Sequence, residues 1–448
     1  MDLHALDSRR DRPNEYLIGR GAAWFAFVMT ISLMLFDYID RQVIVSLFPH
    51  MKADWGLSDK ELGALVSVVS VTVALGALPV ALLADRYSRV KSIVVMAMAW
   101  SLASISCMFT RNYGQLLAAR AVVGLGEAGY GSVGAALIAS VFPARMRSML
   151  LAAFFATASV GSVLGVMLGG LIASRWGWQA AFGVVGIPGL VLALLYLKVR
   201  DYRTVDLTPE LDRATQSAGA TARFIARALL RSRTMLWVCL GAASQLIVVS
   251  AVWAWLPSFL NRFHGLAPEQ AAVKAALVVL CGAAGSLVWG MVVDRAGTRR
   301  ARTKLHALTF LVLVTLGILM PTFAATGSLD SPVQFALIAL GGFMMTCTVG
   351  PVSAVVMDVI HPGVRATGAS VLSLFQNLFG LAAGPFITGV LSDAIGLQTA
   401  LTVIPAFGVL AAVFFLMASR SYEPDLKRVQ TVTVEVESVA PNGAPASA

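Results

Sequence analysis

Five ionisable side chains stand inside apolar runs in the first third of this 448-residue chain. The segment FDYIDRQ holds Asp37, Asp40 and Arg41, and RAVVGLGEAGY holds Arg120 and Glu127. Asp37, Asp40 and Arg41 have the i, i+3, i+4 spacing that shares one face of a helix. Arg120 and Glu127 are two helical turns apart, again on one face. A carboxylate held away from water can carry a proton near neutral pH. A guanidinium beside it can grip the carboxylate or phosphate of a solute with two parallel N–H donors. When a solute anion and a protein carboxylate compete for one guanidinium, proton binding and solute binding become linked. The set is therefore expected to supply proton coupling through Asp40, Glu127 and Asp37, and solute binding through Arg41 and Arg120. A structural ion-pair cluster is the competing reading, and it weighs most on Asp37.

Neutral groups extend the candidate site. Tyr38 and Tyr130 flank the charges, and Gln245, Trp253, Gln376 and Asn377 lie in apolar runs of the second half. Each could bond a solute or a neighbouring helix, since buried amides need partners. Trp255 reads as an interface anchor, and Pro257, Pro351 and Pro385 as kinks. Asp358 and Asp393, near run ends, read as boundary residues.

Other chemistries find no footing. The histidines, His4, His50, His264, His306 and His361, are scattered through tails, loops and run ends, and no HExxH, GxSxG or GxxxxGK[ST] pattern occurs. The cysteines, Cys107, Cys239, Cys281 and Cys347, all sit in apolar runs without a CxxC pair and read as small packing residues. No enzyme activity, cofactor, metal or disulfide is expected.

The elements that must position these charges are membrane spans. The chain is 58% apolar and 13% charged, with a mean hydropathy of +0.78, and a soluble chain carries about a quarter charged residues. A spanning helix needs about 20 apolar residues. Twelve segments qualify, at 21–48, 62–84, 92–110, 115–141, 149–174, 180–198, 235–260, 271–293, 305–324, 333–360, 367–392 and 397–419. The expected layout is a tail (1–20), a six-helix bundle (21–198), a linker (199–234), a second six-helix bundle (235–419) and a disordered tail (420–448). The polar first twenty residues do not read as a cleavable leader. Of the 34 Lys and Arg residues, 26 fall in the termini and even-numbered loops and six in the odd-numbered loops. That bias places both termini and the linker in the cytoplasm. It also explains the net charge of +10 without nucleic acid.

The chain repeats itself. ALLADRYSRVK (81–91) and GMVVDRAGTRR (290–300) follow the second and eighth segments, with Asp85 and Asp294 at an offset of 209. WGWQAAF (176–182) and IGLQTAL (395–401) precede the sixth and twelfth at an offset of 219, and FPARMRS (142–148) matches HPGVRAT (361–367). Parallel six-span repeats place a solute site between the halves.

GMVVDRAGTRR resembles the loop signature of the major facilitator superfamily, Gly-x-x-x-Asp-Arg-x-Gly-x-Arg-Arg. The first copy departs from it at Ala81 and Ser88. The resemblance covers about 15–420 and implies an all-α, twelve-helix fold of two pseudo-symmetric bundles. It also implies a cytoplasmic gate at Asp85, Arg86, Asp294 and Arg295. DYIDRQ, GLSDKELGALVSV (56–68), RAVVGLGEAGYG and AWLPSFLNRFHGL (254–266) together resemble the bacterial spinster-like branch, and the charged motifs also resemble anion:cation symporters. By that similarity Asp40 and Glu127 match protonation sites, and Arg120 matches a charged substrate or coupling position. The implied function is proton-coupled transport of an amphipathic anion of the lysophospholipid or sphingoid-phosphate type. The alternative is import of a small organic or sugar acid. The expected partners are that anion, protons and membrane lipids. A monomer in a bacterial inner membrane is expected, with alternating access as its mechanism. Gly161, Gly165, Gly169 and Gly170 are similar to an antiporter glycine motif, but Val166 stands where that motif has proline, and close helix packing is the simpler reading.

Overall fold

The structure is a computed structural model that describes residues 16–201, 232–298, 300–328, 330–360 and 365–438. Most of the expected N-terminal tail and linker lies outside these residues. Among the described residues twelve helical spans are long and apolar enough to cross a membrane. The first six are Arg20–Ser46, Asp59–Arg86, Arg89–Cys107, Tyr113–Val141, Ala144–Trp176 and Trp178–Tyr196. The second six are Arg233–His264, Pro268–Ala296, Arg302–Ala324, Ser331–Asp358, Arg365–Ile395 and a twelfth that begins at Leu397.

Local chemistry sets the starts. Ser58 and Glu61 form a reciprocal cap on the second span. Asn112 caps the fourth by accepting from the Gln115 N–H at 2.9 Å. Gly177 (φ 84°) and Gly396 (φ 83°) make the tight entries to the sixth and twelfth spans in a conformation that side chains oppose. They occupy matching places in the two repeats.

Two spans read as continuous are interrupted. The fourth breaks after Glu127, where Gly129 turns left-handed (φ 81°) before helix resumes at Tyr130. The tenth breaks between Met345 and Val349. In a bilayer the freed backbone groups need partners. Gln245 Nε2 donates to the Met345 carbonyl at 2.9 Å, and Trp289 Nε1 to the Phe343 carbonyl at 3.2 Å. The eleventh span carries a π-helical stretch over Gln376–Leu381.

Three apolar cores follow from these elements. One lies within the first six spans and holds Leu33, Trp100, Phe154 and Tyr196. A second lies within the last six and holds Val238, Val312, Val355 and Phe415. The third joins both halves at the opposite face from the one where the first span begins and the twelfth ends (the terminal face), through residues such as Val45, Phe48, Leu65, Val252, Trp255 and Ala272. There the Phe48 and Trp255 rings sit 5.1 Å apart, and Ser67 Oγ donates to the Ala382 carbonyl at 2.6 Å. The halves are thus fused at the opposite face, while each has its own core toward the terminal face.

Within the first half, the fifth span lies on the first at backbone distance. A Cβ added at Gly161, Gly165 or Gly169 would sit 2.7, 2.6 or 2.5 Å from the Leu35, Ile39 or Val43 carbonyl oxygen. That supports the close-packing reading of these glycines.

The last helix, Phe407–Ser438, runs past the expected limit at 419 into residues read as a disordered tail. Partners on other spans explain the extension. Tyr422 donates its hydroxyl to Asp358 at 2.7 Å. The buried Asp425 accepts from Ser232 Oγ at 2.8 Å and from the Thr234 N–H at 3.0 Å, which caps the seventh span. Removing a cap costs about 1 kcal/mol, so Asp425→Ala should lower the apparent melting temperature. An unchanged melting curve would show the extension to be idle.

Candidate functional site

The first and fourth spans bring all five charges together, and the third adds Ser104. Arg41 Nε lies 2.9 Å from Glu127 Oε2 and 3.5 Å from Asp37 Oδ2. The approach to Glu127 lies off the N–H direction, so it is a charge contact and not an aligned hydrogen bond. Arg120 NH1 lies 3.2 Å from Asp40 Oδ2, and the Ser104 hydroxyl donates to Asp40 Oδ1. Two units result: Asp37 and Glu127 share Arg41, and Asp40 is matched to Arg120.

Exposure separates them further. The Arg41 side chain keeps 19% of its surface, whereas Arg120 keeps 1% and the three carboxylates 0–4%. Arg120 lies over the Phe182 ring at 5.9 Å, and Arg41 over the half-buried Tyr38 at 5.5 Å. Of the two guanidiniums, Arg41 is the more exposed.

The other candidates are more dispersed. Tyr130 is buried and donates its hydroxyl to the Thr30 carbonyl at 2.8 Å, beside Tyr196 on the Thr30 hydroxyl. It braces the first bundle. Gln245 is fully buried on the tenth-span break. Gln376 and Asn377 lie on the π stretch, half-buried, with Asn377 Nδ2 on the Ser373 carbonyl at 2.9 Å. The half-buried Trp253 packs beside Gly282, and its indole N–H has no partner. Trp178, Trp255 and Trp289 all donate theirs. At the terminal face Asp294 and Arg295 are exposed, and Asp294 lies 3.9 Å from Lys304. Lys304 is also 3.3 Å from Asp358. The side chains of Asp85 and Arg86 lie outside the described residues. Among the described residues no group of three or more His, Cys, Asp and Glu could hold a metal ion.

Sequence reasoning missed Ser104, which carries no signal in an apolar run. It also missed the meeting of the opposite-face residues Lys52, Asp59, Arg262 and Ser392 with Asp393, which reads from sequence as a boundary residue, because that meeting depends on how the halves dock.

Comparison with known proteins decides the family. The profile of the Major Facilitator Superfamily matches residues 30–383. The chain belongs to this superfamily. Among its members, a gallate transporter of Pseudomonas putida is 30% identical over 425 residues, covering 87% of this chain and 91% of that protein. Protein spinster homolog 3 of Danio rerio is 25% identical, covering 97% and 92%. The crystal structure of a bacterial homolog to the human lysosomal transporter Spinster, inward-facing and unoccupied, superposes with a TM-score of 0.80. It is 21% identical and covers 91% of this chain and 99% of that one. This superfamily member is therefore an integral membrane transporter with twelve helices in two bundles. Among the described residues the charges buried in mid-span all lie in the first bundle.

Proposed function

We propose that the protein is a proton-coupled secondary transporter that moves a small cyclic organic acid by alternating access. The observation that carries this reading is the sharing of Arg41 by Asp37 and Glu127. With Asp40 matched to Arg120, two buried carboxylates face one guanidinium, and a proton relieves the surplus charge. A solute carboxylate that takes Arg41 leaves Glu127 without its cation, so Glu127 takes up a proton as the anion binds. Each ligand then favours the other, and by reciprocity the coupling is symport. The solute class is supported by the relatives at 30% identity, the gallate transporter and a probable 4-methylmuconolactone transporter of Cupriavidus pinatubonensis. The charge bias of the loops supports a cytoplasmic terminal face, and the bacterial relatives support an inner membrane.

A second reading, transport of a lysophospholipid or sphingoid phosphate, rests on the spinster proteins, 25–27% identical, and on a second bundle that has no charge buried in mid-span among the described residues. Thermal stabilisation separates the two, because a ligand of the folded state raises apparent stability. Purified protein is tested with aromatic acids, sugar acids, lysophospholipids and sphingoid phosphates at pH 5.5 and 7.5. The expected result is stabilisation by aromatic acids, larger at pH 5.5. Stabilisation by lipids alone would favour the second reading, and a larger effect at pH 7.5 would reverse the sign of coupling.

A further inference from the structure

We infer that Asp59 is the latch of the opposite face, a positioning residue that sets how often the two halves part there. Asp59 opens the second span and is 2% exposed. Its carboxylate accepts two parallel bonds from Arg262 at the end of the seventh span, NH1 to Oδ2 at 2.6 Å and NH2 to Oδ1 at 2.7 Å. Ser392 Oγ donates to Oδ2 at 2.5 Å, and Lys52 Nζ to Oδ1 at 2.6 Å. The grip is returned from the other half. The Asp393 carboxylate accepts from the backbone N–H groups of Asp59 at 2.9 Å and Lys60 at 2.8 Å. A Cβ on Gly389 would collide with the Asp59 carbonyl, so the two backbones touch at the same point.

These contacts divide by half. Arg262, Ser392 and Asp393 belong to the second bundle, and Lys52 and Asp59 to the first. When the halves part at this face, Asp59 loses Arg262 and Ser392 and keeps Lys52. The closed state holds the carboxylate with three side-chain donors, and the open state with one. Lys52 is thus a partner in both states and carries more weight in the open one, where it stands alone. An equilibrium shifts by the difference in interaction between its two states, so the two kinds of donor must act in opposite directions.

The test reads distance and needs neither substrate nor a proton gradient. Spin labels go on the exposed loop residues Arg111 in the first half and Ser328 in the second, in full-length protein in nanodiscs with Cys281→Ser. Asp59→Asn should raise the ratio of separated to closed populations by about tenfold or more, the range expected for loss of a buried charged pair. Arg262→Gln, at a partly exposed position, should act in the same direction and gives the reading if Asp59→Asn folds poorly. Lys52→Gln should lower the ratio. An unchanged ratio in Arg262→Gln, or a rise in Lys52→Gln, would overturn the latch.

Discussion

Glu127→Gln is expected to abolish proton-driven accumulation and to leave exchange of substrate across the membrane intact. Glutamine keeps the shape of the side chain and removes the group that takes the proton. Arg41 retains Asp37 at 3.5 Å, so the cluster keeps its other ion pair. A pH gradient of one unit is worth about 1.4 kcal/mol per proton, or about tenfold accumulation. In proteoliposomes with an imposed gradient, the variant should stop at equal concentrations on both sides. Labelled substrate should still exchange for unlabelled substrate. Continued accumulation would move the coupling proton to Asp37 or Asp40.

The second large effect concerns Arg41. Arg41→Ala should raise the Kd for an aromatic carboxylate by roughly 30- to 150-fold, about 2–3 kcal/mol for a charge-assisted contact. Arg41→Lys should recover part of this, because it restores the charge but not the planar fork. The methyl ester of the same acid is the control. Equal losses for acid and ester would make Arg41 structural. Arg120→Ala should behave differently. It strands Asp40 in the interior, where an unpaired carboxylate is costly, so folded yield should fall before selectivity does.

The contrast between the two arginines shows what the sequence could convey. Charged residues are rare inside spans, and the helical repeat put Asp37, Asp40 and Arg41 on one face, so the cluster was legible. Its pairing was not. Which carboxylate meets which guanidinium depends on the rotation of the first and fourth helices about their axes. Sequence spacing within one helix says nothing of that rotation. Resemblance matched Arg120 to a charged substrate or coupling position, with Arg41 a candidate beside it, and only the structure shows that Arg41 is the more exposed of the two. Tyr130 and Gln245 were plausible lining groups because polar atoms in a bilayer need partners. Their partners proved to be backbone carbonyls at Thr30 and Met345. The twelve spans and the repeat were legible from hydropathy and from the paired motifs. The breaks in the fourth and tenth spans were not, since glycine and threonine are common in unbroken membrane helices. Asp59 and Asp393 lie 334 residues apart, and no local pattern joins them.

The backbone contact between the first and fifth spans has a consequence for the energy of the cycle. It fastens the helix that carries Asp37, Asp40 and Arg41 to its own bundle, which also holds Ser104, Arg120 and Glu127. In the proposed cycle one bundle tilts against the other, and the backbones that carry these groups travel together, so that only their side chains re-pair. What alternates in that cycle is the medium around them, wet on one side and then on the other. On that proposal the five charges form an electrode in a changing dielectric, and Arg41, with 19% of its side-chain surface left, is its most exposed member.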